Sequence, residues 1–325
     1  MSDAAVAGGR TARRGRLGTE ARDARRALQL VLAAIWLLDA VLQDQSFMYS
    51  KAFSQMIGGP AAGNPGVIAR PITWNANLVE QHAVLLNTVF ATIQLLIGLG
   101  IAFRPTVRVA LAGSIAWACA VWWFGEGLGG VLSGAANPFN GAPGAVIIYA
   151  LLAVLLWPAD RVARAPFTAA RAVGAHVARA LWLVLWLSLA YFALTPANRA
   201  PQALNGVITA METGEPGWLI ALDNGAASLV RGQGLAASVF LAAALVVIAA
   251  GVYLRPPAAK TTLVLAVVVA AVVWVFGEAL GGILSGVGTD PNSGPLLALL
   301  ALAYWPCASA GASPAGPAGP GSVAP

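Results

Sequence analysis

The chain has 325 residues, of which 58% are hydrophobic and only 10% charged, with mean hydropathy +0.75 and formal net charge +6. Soluble domains carry about 25% charged residues, so this composition excludes a water-soluble domain and requires an apolar solvent. The sequence pI of 9.9 does not indicate nucleic acid, because the basic residues form no dense stripe interleaved with stacking aromatics.

Residues 1–26 read as a basic, disordered cytoplasmic tail. They lack the short apolar core and small-residue cleavage site of a signal peptide, so an uncleaved helix is expected to follow. A bilayer crossing needs roughly 20 apolar residues, or fewer when helix ends lie in the headgroups. That criterion predicts eight crossings, near 27–43, 82–103, 107–128, 142–158, 179–195, 235–254, 260–280 and 292–306. The fold class expected is an all-α integral membrane protein.

The first crossing contains "WLLDAVLQ", which puts Asp39 about 18 Å along a helix from Ala27, inside the hydrocarbon. Gln43 lies one turn further on the same face. On the returning second helix, Asn87 falls at a similar depth and Gln94 one heptad deeper. These residues form a candidate ligand- or proton-binding cluster, since intramembrane ionisable groups are functional by default. The competing reading is an interhelical hydrogen-bond clamp worth about 1 kcal/mol.

The third crossing ends in "WFGEGLGGVLSG" and the seventh in "VFGEALGGILSG". Glu126 and Glu278 are expected near the outer headgroups, either as polar anchors or as binding groups. Gly125, Gly129, Gly130 and Gly134, with Gly277, Gly281, Gly282 and Gly286, recur at four-residue spacing. On a helix that spacing lines one face and permits close helix packing. The alternative is that these glycines break the two helices beside a cavity.

Eight crossings resolve into two copies of four. Trp36 pairs with Trp186, "NPGV" before Ile68 with "EPGW" before Leu219, "FRP" with "LRP", and "LWP" with "YWP". The offset drifts from 150 to 152 and is 148 at the last pair. Ordered matches of this kind indicate duplication, and an even number of helices per copy makes the repeats parallel. The expected units are repeat 1 over 27–158, a cytoplasmic linker over 159–178, repeat 2 over 179–306, and a low-complexity disordered tail over 307–325. Asp39 and Gln43 correspond to Leu189 and Ala193, so the cluster belongs to the first copy alone.

With both termini in the cytoplasm, 15 of the 19 Lys and Arg residues fall inside, the asymmetry expected of an inner-membrane protein. The long outer loops, 44–81 and 196–234, contain mixed apolar and polar stretches suited to short amphipathic helices at the outer interface. Cys119 and Cys307 read as free thiols at different depths. His82 and His176 fall on opposite sides, which excludes bis-histidine haem, and no clustered ligand set suggests a metal. There is no Walker segment and no nucleophile elbow, so no catalytic residue is assigned and a non-enzymatic role is favoured.

The opening helix with its trailing "SFMYSKAFSQMI", together with "QLLIGLGIAFRP" at 94–105, resembles the DoxX/DoxD-like membrane family of four-helix units. The second stretch is similar to that family's E-L-x-x-G-x-x-L-x-x-G-x-x-R helix, with Gln94 in the place of the glutamate and Arg104 in that of the arginine. "VVIAAGVYLRP" at 246–256 is a weaker second match. The resemblance implies a role beside quinone-linked oxidation, redox-enzyme maturation or oxidant responses. Quinone then becomes a candidate ligand, and an exported or membrane redox protein a candidate partner besides the bilayer. Three roles stay open: a non-catalytic or quinone-interacting component of a redox or envelope-stress pathway, a proton-coupled transporter or small-molecule binding protein, and a structural scaffold.

Overall fold

A computed structural model describes residues 24–162, 165–210 and 213–307. The described residues form helices joined by turns, with one isolated bridge between Phe167 and Pro306 in place of any strand. The two tails expected at the ends lie, apart from residues 24–26 and Cys307, outside the described residues.

Helix α1 spans 24–42. After a 3₁₀ turn at Ser46–Tyr49 come α2 (Lys51–Gly58), α3 (Gly66–Gln81), α4 (Ala83–Ala102) and α5 (Val107–Phe124). Helix α6 (Ala145–Leu155) closes the first half, and a short α7 (Ala170–Val173) joins it to the second. The second half contains α8 (Ala175–Ala193), α9 (Ala203–Ala210), α10 (Gly217–Val230), α11 (Gly234–Gly251), α12 (Pro256–Val272) and α13 (Ser293–Ala303). Prolines set several boundaries, because the residue before proline disfavours helix while proline itself suits a first turn. Pro105 thus separates α4 from α5, and Pro256 opens α12.

Five helical stretches are long and apolar enough to cross a membrane: Ala83–Ala102, Arg104–Phe124, Ala175–Ala193, Gly234–Gly251 and Pro256–Gly277. Helices α6 and α13 are equally apolar but have 11 residues each, about 16 Å of rise against a hydrocarbon core of about 30 Å. They pack on each other, with α5 against α6 and α12 against α13. Tyr149, Leu152 and Leu155 of α6 are buried in one core with Leu296, Leu299 and Leu300 of α13. The two short helices therefore form the centre of the molecule. Helices α2, α3, α9 and α10 occupy the long loops where amphipathic segments were expected, and α3 packs on α5.

Glycine at four-residue spacing does not line a helix face here. Helix α5 ends at Phe124, and Gly125 is its cap. In the second half the helix passes into a π turn over Val273–Gly277. Both chains then enter a left-handed turn, with Leu128 and Gly129 at φ 56° and 62° and Leu280 and Gly281 at 58° and 74°. A Cβ on Gly129 would overlap the Pro143 carbonyl, and one on Gly281 would press into Pro291. The reading of these glycines as one helix face is thus corrected for Gly129, Gly130, Gly134, Gly281, Gly282 and Gly286, all left-handed. Gly125 caps α5 in helical backbone, and Gly277 ends the π turn against the Phe139 carbonyl. The six left-handed glycines serve a chain reversal, which favours a residue without Cβ.

At the opposite end from these turns, Arg25 and Arg171 both pair with Asp160, at 3.0 Å each. Arg25 also donates to the Ala159 carbonyl, and Gln29 to that of Leu156. Burial disfavours the charge on Asp160, but the two guanidiniums prevail and hold its carboxyl below the usual range.

Candidate functional site

Each chain reversal delivers a carboxylate to the start of the next short helix. Glu278 accepts hydrogen bonds from the backbone amides of Ser293 (3.2 Å) and Gly294 (3.0 Å) and from the Ser293 hydroxyl. The first amides of a helix have no intrahelical acceptor and carry partial positive charge, so a carboxylate there is stabilising. Glu126 stands equivalently at α6, where its Oε1 accepts from the Val146 amide at a long 3.4 Å. The tryptophan four residues earlier braces each turn. Trp122 donates to the Pro143 carbonyl at 2.6 Å, and Trp274 to that of Pro291 at 2.9 Å. The two turns differ at the carboxylate: Glu278 is fully buried and bonded through both oxygens, whereas Oε2 of Glu126 has no partner.

Glu126 faces a cavity of about 820 Å³ in the first half, within the range of small-molecule sites. Asp39, Gln43 and Gln94 line it too, whereas Asn87 and Glu278 do not. Its walls include Trp36, Phe90, Trp117, Phe124 and Tyr149. Phe53, Met56 and Ile57 of α2 and Trp74 of α3 close it from the loop side. The turn Thr289–Asn292 reaches across from the second half to complete the lining.

Asp39 is 2% exposed. Its Oδ2 accepts from the Tyr149 hydroxyl at 2.7 Å, and its Oδ1 has no partner. Trp36 packs on Tyr149 with ring centroids 4.4 Å apart and planes tilted by 48°, and donates to the Ser114 hydroxyl at 3.2 Å. Gln43 and Asn87 satisfy each other: Gln43 Nε2 donates to Asn87 Oδ1 at 2.8 Å, and Asn87 Nδ2 to the Gln43 carbonyl at 2.7 Å. That pair has the geometry of a clamp between the turn that ends α1 and helix α4. Gln94 Oε1 is again without a partner. Three unpartnered oxygens therefore belong to residues of one cavity: Asp39 Oδ1, Gln94 Oε1 and Glu126 Oε2.

Tyr149 and Asp290 enter the site without having stood out in the sequence. At the offset of 148 that relates "LWP" to "YWP", Leu297 stands in the place of Tyr149, just as Leu189 stands at the offset of 150 from Asp39. Asp290 lies in the turn-like "GTDPNSGP", and nothing in its pattern brings it to the other half. Burial pushes its carboxyl above the usual range, against hydrogen bonds from the Thr289 hydroxyl and the Asn292 amide.

The fold and its apolar helices define a class, an all-helical membrane protein with an aromatic-walled cavity that three carboxylates also line. Comparison with protein-family models, curated proteins and solved structures finds no match for this chain.

Proposed function

We propose that the chain is a non-catalytic, multi-pass protein of the bacterial inner membrane whose first half binds a small molecule. Its eight apolar segments cross the bilayer as two parallel four-helix repeats, with both termini cytoplasmic. The matched turns at Glu126 and Glu278 support the repeat, and the distribution of Lys and Arg supports the orientation. One observation carries the binding reading: three unpartnered polar oxygens share an aromatic-walled cavity. Buried polar groups in folded proteins are nearly always bonded, and leaving one unmade costs about 1–3 kcal/mol. A ligand that donates to these oxygens removes that cost.

A second reading is a quinone-interacting, DoxX-like component of a redox or envelope-stress pathway that partners an exported or membrane redox protein. It is favoured by Gln94, which occupies the place of the family's glutamate and lines the cavity.

Native mass spectrometry of protein extracted from its own membranes tests the binding reading. The wild type should retain a small-molecule adduct that Ala120→Trp, which fills the cavity, lacks. No adduct on the wild type, together with a higher melting temperature for Ala120→Trp, would show the cavity to be a mere packing void.

A further inference from the structure

The chemistry of the cavity wall narrows the ligand, and this step rests on the binding reading above. Three carboxylates from separate elements line the cavity: Asp39 on α1, Glu126 at the reversal after α5, and Asp290 in the turn before α13. Among the described residues, no Lys, Arg or His lines it. Among the described residues, the ion pairs found join Arg25 and Arg171 to Asp160 and Lys51 to Glu80, and none reaches this trio. Asp290 has both oxygens engaged, by Thr289 and by the Asn292 amide. Asp39, 98% buried by its 2% exposure, and Glu126 each keep one buried oxygen without a partner, and Gln94 adds an unpartnered amide oxygen. The buried atoms left without a partner are thus all oxygens, two of them on carboxylates, in a wall that also carries aromatic rings and the side-chain amides of Asn137, Asn140 and Asn292.

Such a wall selects its ligand by sign and by hydrogen-bond polarity. An anion meets like charge at the carboxylates, and a group offering only carbonyl oxygens leaves the three unpartnered oxygens unpaired. A cation is attracted both by the carboxylates and by the negative faces of aromatic rings. We propose that the cavity binds a lipophilic ammonium ion. Its N–H groups donate to Asp39 Oδ1 and Glu126 Oε2, and its apolar body lies against Trp36, Phe90 and Trp117. Gly144 keeps the Glu126 end open, since a Cβ there would overlap Glu126 Oε2.

The test is equilibrium binding to full-length protein in detergent, read by quenching of tryptophan fluorescence and checked by calorimetry. The probes are 2-phenylethylammonium, its neutral counterpart 2-phenylethanol, the anion phenylacetate and the quinone menadione. Saturable binding of the ammonium is expected, at least tenfold tighter than the alcohol, with none of the anion. Asp39→Asn should weaken it at least tenfold, and Glu126→Gln gives an independent loss should the Asp39 variant fail to fold. Asp44→Asn, which neutralises an exposed carboxylate outside the cavity, should bind as the wild type does. Equal affinity for the ammonium and the alcohol, or ammonium binding untouched by both cavity variants, would overturn the proposal. Menadione binding that Asp39→Asn abolishes, with no ammonium binding, would also overturn it while leaving the cavity a ligand site. Failure of every probe, with no native adduct on the wild type, would remove both.

Discussion

The two halves use one device to different ends. In each, a long helix stops at a W-x-F-G-E segment, reverses through a left-handed glycine turn, and presents a glutamate to the amino end of a short central helix. In the second half the device is closed: Glu278 spends both oxygens on α13, and Leu189 and Leu297 stand where the first half has Asp39 and Tyr149. In the first half the cap is loose, an oxygen is spare, and Asp39 and Tyr149 bond beside a cavity. The shared segment is therefore architecture, and the departure from it lies at the cavity.

The comparison can be broken at its hinge. Gly129→Ala should destabilise by about 3 kcal/mol, because the new Cβ meets the Pro143 backbone at positive φ. Gly281→Ala should behave alike against Pro291. Gly134→Ala, also at positive φ but with open space around it, should cost only about 1 kcal/mol. Unfolding equilibria in mixed micelles measure all three, and equal costs would show that close approach is unimportant.

The caps offer a smaller contrast. Glu278→Gln should cost about 2 kcal/mol, since a buried carboxylate with three donors loses charge-assisted bonds. Glu126→Gln should cost less than about 1 kcal/mol, given its single long bond. The same unfolding assay reads the difference, and a reversed order would remove the distinction between closed and open halves.

The smallest effect lies where α1 meets the chain after α6. Asp160 has a lowered carboxyl pKa, so its pairing with Arg25 and Arg171 stabilises the fold above the ordinary value of 3.8. That contribution is lost as pH falls from there through the lower folded value. Asp160 is 32% exposed, so screening keeps the effect below about 1 kcal/mol. Melting temperature followed below pH 5 should drop less steeply for Asp160→Asn than for the wild type.

Much of this organisation was legible in the sequence. Hydropathy placed a helix in each of the eight apolar segments, and the polar residues Asp39 and Gln43 stood out within the first of them. The glycine segments misled, because spacing by four fits a helix face as well as a turn. The better signal was the paired Gly129-Gly130 and Gly281-Gly282, since left-handed reversal at a helix end prefers glycine. Asn87 was correctly set beside Gln43, but the sequence could not say that the two satisfy each other rather than a ligand. Asp290 was illegible, for only the packing of the halves carries its turn to the cavity.

The most direct test makes the first half resemble the second. The double variant Asp39→Leu/Tyr149→Leu replaces both partners of a buried bond with apolar groups, a change that can be nearly neutral or stabilising. Native mass spectrometry of this variant beside the wild type should find the bound small molecule on the wild type alone, with the variant still folded. The same adduct on both proteins would contradict the assignment of function to the broken symmetry.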